Sequence, residues 1–68
     1  MTTAPYRVEA RREESGWTVL IVDDGGEEVF RRACSTEGQA RLMESTVRQH
    51  LRWLSPERFR HYYRLPER

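Results

Sequence analysis

The chain has 68 residues, 37% of them hydrophobic and 34% charged, with a formal net charge of +1. That makes one domain near the lower limit for a self-sufficient core, with no apolar run near the ~18 residues of a membrane span. A single cysteine, Cys34, excludes an internal disulfide and cannot build a zinc site without other ligands.

Met1-Thr2-Thr3-Ala4-Pro5 lacks the basic and apolar regions of a signal peptide, so disorder over residues 1–5 and a cytoplasmic location are expected. Tyr6 to Arg12 then alternates apolar and charged residues, as a half-buried strand does. Glu13-Glu14-Ser15-Gly16 supplies turn chemistry, and Trp17-Thr18-Val19-Leu20-Ile21-Val22 follows as a β-branched and aromatic strand. Asp23-Asp24-Gly25-Gly26 breaks the chain as a hairpin loop, with glycines available for positive φ. Glu27 to Ala33 returns as a third strand, read with Val29 and Ala33 on one face and Phe30 on the other. The sheet is expected to span residues 6–34.

A helix is expected over 36–54. Thr36 and Gln39 fit a capping box, and Ala40, Met43, Val47, Leu51 and Leu54 recur at helical steps with His50 beside them. Glu37→Arg41 and Glu44→Arg48 are i,i+4 pairs in the favoured orientation, and Arg52 continues their row. Ser55-Pro56 opens a second, short helix within 55–65, with Ser55 as N-cap and Pro56 at the first position. Two turns need packing to persist, and Phe59, Tyr62 and Tyr63 are the expected docking surface. The fold class is therefore α+β: a three-stranded antiparallel meander, one long helix and a short C-terminal helix (βββαα).

Charge is distributed unevenly along this layout. Residues 45–68 carry Arg48, Arg52, Arg58, Arg60, Arg64 and Arg68 against Glu57 and Glu67, a balance of +4, while residues 1–44 stand at −3. Trp53, Phe59, Tyr62, Tyr63, His50 and His61 interleave the arginines. All basic residues are arginine, and lysine and asparagine are absent, a bias that GC-rich coding explains without invoking any contact. Arg58, Arg60, His61, Arg64 and Arg68 are the candidate anion or nucleic-acid contacts, because arginine beside aromatic rings suits phosphate contact plus stacking. Their competing reading is a solvated helix face opposite a packed aromatic row.

The second strand is apolar on both faces, and one helix covers only one of them. The other face is expected to meet the C-terminal segment or a second copy of the chain, with Leu20, Val22 and Phe30 as the candidate dimer interface. Asp23, Asp24, Glu27 and Glu28 lack the spacing of a calcium loop and read as a solvated turn. Cys34 has no neighbouring base, and His50 and His61 share no metal-ligand spacing. No catalytic, metal or cofactor motif is found. The sequence reads as a small non-catalytic interaction or regulatory module, homodimeric or bound to another protein. Nucleic-acid binding is the alternative, and no membrane partner is expected.

Gly16-Trp17-Thr18-Val19, Asp24-Gly25-Gly26 and the helix opening Ser35-Thr36-Glu37-Gly38-Gln39-Ala40 give residues 6–54 a further resemblance. The layout is similar to the three-strand-plus-helix arm-binding domains at the N-terminus of tyrosine recombinases, which bind DNA through the sheet. The resemblance implies that Arg7, Arg11 and Arg31 face the groove. The acidic hairpin departs from it, and no recombinase catalytic domain follows in this sequence.

Overall fold

A computed structural model describes residues 5–66; of the segment 1–5 expected to be disordered, residues 1–4 lie outside them, as does Arg68 among the candidate contacts. Strands β1 (Tyr6–Glu13), β2 (Gly16–Asp23) and β3 (Glu28–Cys34) form an antiparallel sheet in the order β1-β2-β3, followed by α1 (Glu37–Trp53) and α2 (Pro56–Tyr62). This is the βββαα arrangement.

Each boundary has a local cause. Glu13 pairs with Gly16 across a two-residue turn. Gly16 sits at φ +135, where a Cβ would meet the Cys34 carbonyl oxygen at 3.1 Å, so glycine is needed on both counts. The second hairpin is organised by Asp23. Its Oδ1 accepts from the N–H groups of Gly25 and Glu27, both at 2.9 Å, and its own N–H donates to the Glu27 carbonyl. At the start of α1 the Gln39 N–H donates to Thr36 Oγ1 at 3.2 Å. The reciprocal half of the capping box moves one residue outward, since Gln39 Oε1 accepts from the N–H and hydroxyl of Ser35 rather than from Thr36. Pro56 disfavours helical geometry at Ser55, so α1 stops there, and Ser55 Oγ caps α2 by accepting from the Arg58 N–H.

Both helices lie on one face of the sheet. Val8, Val19 and Ile21 from the sheet, Ala40 and Val47 from α1, and Phe59 and Leu65 from the C-terminal segment make a single buried cluster. Phe59 packs on Tyr6 with ring centroids 5.3 Å apart, and Tyr63 meets Phe30 edge-on at 5.5 Å. Burying side chains of this kind contributes about 1.5–3 kcal/mol each. That packing answers the marginal helicity of two isolated turns.

Two expectations about the sheet are corrected. The C-terminal segment does not cover the face carrying Leu20 and Val22; it packs beside α1 on the face carrying Val19 and Ile21. Nor does Phe30 share a face with Leu20 and Val22. It pairs with Ile21, while Val22 pairs with Glu28, so Val29 is the extra residue of a bulge, and both Val29 and Phe30 pack against the helix-side cluster. Alternation alone does not fix register. A slip of one residue exchanges the two faces, and here the Asp23 turn and the bulge decide it.

Candidate functional site

The open face of the sheet comes first, because it held the expected dimer contact. Leu20 is 1% exposed and Val22 6% exposed although no helix lies over them. In register beside Leu20 are Glu9 and Arg31, and beside Val22 are Arg7 and Glu28. The aliphatic stems of these long side chains cover the apolar strand while their charges stay in water. Arg31 joins the two edges, with Nη1 3.0 Å from Glu13 and Nε 2.7 Å from Glu28. Thr18, buried on the same face, donates its hydroxyl to Glu13. The bond from Thr18, then the nearby Arg31, hold the Glu13 carboxyl below the usual carboxylate range, and the bond from Arg31 does the same for Glu28. Arg7, Arg11 and Arg31 share this face, where Glu9, Glu13 and Glu28 alternate with them.

Two of the three arginines of α1, Arg41 and Arg48, are likewise engaged. Glu44, buried on the helix, lies between Arg41 at 3.3 Å and Arg48 at 3.1 Å, and Arg41 also pairs with Glu37 at 3.6 Å. Arg48 reaches past its helix and donates to the Val8 carbonyl of β1 at 2.9 Å. Arg41 lies over the Trp17 ring, 5.4 Å from its centroid. Both i,i+4 pairs read from the sequence are present. The link from Arg48 to the sheet was not legible, because it joins residues forty positions apart.

The basic C-terminal end differs. With Phe59 turned into the core, α2 leaves Arg58 and His61 exposed on its outer side, and Arg60 half-buried. Three backbone bonds close the helix: Tyr63 N–H to Phe59, Arg64 N–H to His61 and Leu65 N–H to Arg60 carbonyls. This closure turns the chain through Arg64, at φ +55 the sole non-glycine residue of positive φ among the described residues. It also folds Leu65 back into the core. Arg58, Arg60, His61 and Arg64 thereby line one open cleft whose floor includes Leu54 and Leu65. None of these four side chains has an ion pair among the described residues. The structure thus brings together every described member of the predicted cationic set.

Beside this cleft, His50 Nδ1 and the Tyr63 hydroxyl are hydrogen-bonded at 2.6 Å, and Tyr62 meets the His50 ring at a tilt and the Tyr63 ring edge-on, each with centroids 4.9 Å apart. Burial pushes the Tyr63 hydroxyl above its ordinary pKa. His50 is thus a boundary histidine with a partner. Cys34 is half-buried and unbonded to any other cysteine, and no group of three His, Cys, Asp or Glu side chains that could hold a metal ion is present among the described residues. No described helix is long and apolar enough to cross a membrane. The sequence matches no protein-family model, and comparison with curated proteins and with solved structures returns no match.

Proposed function

We propose that this protein is a small non-catalytic interaction module that engages an anionic partner through the α2 cleft. One observation carries the reading: Arg58, Arg60, His61 and Arg64 converge on one cleft whose single acidic lining residue, Glu57, forms no ion pair with them among the described residues. Elsewhere Arg11, Arg31, Arg41 and Arg48 are matched to glutamates, and Arg7 and Arg52, which are not, share a cleft with Glu9. Clustered like charges repel, and an anion bound among them reverses that cost. A homodimer through Leu20 and Val22 is the form of this reading with least support, because the stems of Arg7, Glu9, Glu28 and Arg31 already cover both residues.

Nucleic acid is a second reading of the same cleft. Tyr62, 62% exposed, lines the cleft, and Trp53, 72% exposed, ends α1 just before it, so rings for base stacking flank cations for phosphate. Titration of Trp53 fluorescence and backbone amide shifts with polyglutamate and with a single-stranded oligonucleotide, each at two salt concentrations, separates the partners. Three phosphate contacts on a single strand give a log–log salt slope of about −2. Arg58→Ala combined with Arg64→Ala should abolish most of either response. If neither anion perturbs the cleft at low salt, the proposal fails.

A further inference from the structure

A second surface adjoins the α2 cleft, sharing Tyr62 and Arg64 with it but not Arg58, Arg60 or His61. Between α1 and the free edge of the sheet runs a groove of about 600 Å³, lined by Phe30 and Arg32 of β3, Leu42, Met43 and Thr46 of α1, and Tyr62 at its far end. Leu42 is 71% exposed, a cost that the helix's outward stripe does not explain. No acidic side chain lines the groove, and Arg32 and Arg64 on its rim have no ion pair among the described residues. β3 pairs only with β2, so the backbone groups along its outer edge face this groove's open side.

We propose that this groove receives an extended acidic–apolar peptide segment, which adds to β3 as a fourth strand. A strand laid along β3 would satisfy the edge backbone groups and send alternate side chains toward Leu42, Met43 and Phe30. Arg32, on the groove side of β3 opposite Val19, asks for a carboxylate as its cross-strand neighbour. The same charge argues against a second copy of the chain as the occupant. Antiparallel self-pairing centred on the free segment of β3 would set Arg32 of one copy opposite Arg32 of the other, and like charges placed opposite each other are destabilising. The bulge at Val29 limits pairing at the start of the strand, leaving Phe30 to Cys34 as the receiving segment.

The test is a titration of the whole chain with the seven-residue peptide Thr-Val-Thr-Glu-Thr-Val-Thr, whose three groove-facing side chains set a glutamate opposite Arg32 between two valines, read by amide shifts and by fluorescence anisotropy of a labelled copy. Shifts should gather on Phe30 to Cys34, Leu42 and Met43. Arg32→Glu should weaken binding roughly fivefold to tenfold and should favour the same peptide with lysine in place of its central glutamate. Leu42→Glu, at an exposed position that leaves folding intact, should weaken the glutamate peptide by a similar factor. Arg58→Ala, which lies outside the groove, should leave the affinity unchanged, so failure here and failure of the α2 reading are distinguishable. Methylating the backbone nitrogens that would face β3 should abolish binding. The proposal is overturned if no shifts appear at about 1 mM peptide, if they centre on Arg58 and His61, or if the N-methylated peptide binds equally well, as a docked helix or a purely ionic contact would allow.

Discussion

On one face of β2, Val19 and Ile21 are enclosed by Ala40, Val47 and Phe59; on the other, Leu20 and Val22 are enclosed by the stems of Arg7, Glu9, Glu28 and Arg31. Both faces are shut to water, by different means. The helix side is a close-packed apolar layer whose atoms cannot shift without leaving a void. The charged side is a flexible cover held in place by ion pairs, chiefly those of Arg31 with Glu13 and Glu28. A chain too short for a second helical layer can thus still bury a doubly apolar strand, provided the flanking strands carry long charged side chains in register. The cover also uses up the arginines that lie over it. Those of α2 have no such duty, and this is why the candidate contact falls at that end of the molecule.

The contrast between the two faces can be broken most forcefully at Phe59. Phe59→Ala should cost about 3–5 kcal/mol, against a total stability of roughly 3–10 kcal/mol for a chain of this length. The variant should therefore be largely unfolded or lose α2, as read by denaturant melts of ellipticity. Leu20→Ala should cost less, about 2 kcal/mol, because flexible stems can close over the lost volume where a packed layer cannot. Equal losses at the two positions would show that the charged cover is as rigid as the helical one.

Acid should act on the open face. The carboxyls of Glu13 and Glu28 lie below their ordinary range in the folded chain, through bonds from Thr18 and Arg31. The stability they contribute is fully present above the unfolded value, near 4.5, and is lost as pH falls below it through the folded one. Melting temperature should drop over that window, modestly because these groups are exposed, and Arg31→Ala should flatten the drop. A pH dependence unchanged by Arg31→Ala would remove the ion pairs from the account.

The smallest effect sharpens the functional side. Arg64 occupies the left-handed position that closes α2, a place glycine fills at less cost. Arg64→Gly should raise stability by about 0.5 kcal/mol, or melting temperature by about 2–4 °C, while weakening the response of the cleft to anions. A gain in stability together with a loss of binding is the signature expected of a residue kept for contact.

The sequence by itself determined the element order, the caps at Thr36 and Ser55, the inward stripe of α1, and the ion pairs of Glu37 with Arg41 and Glu44 with Arg48. All of these rest on contacts a few residues apart, which spacing alone displays. It also singled out the cationic set of α2, because composition shows where charge is unopposed. Tertiary structure decided what spacing cannot. The bulge at Val29 set the register and turned Phe30 toward the helices, α2 settled beside α1, and Arg31 bridged the two edge strands over Leu20. The groove rimmed by Arg32 and Leu42 had one signal in the chain, the row Leu42, Thr46, Gln49 and Trp53 on the outer side of α1. Its meaning depended on which sheet edge that row would overlook, a matter fixed only by packing between residues far apart in the chain.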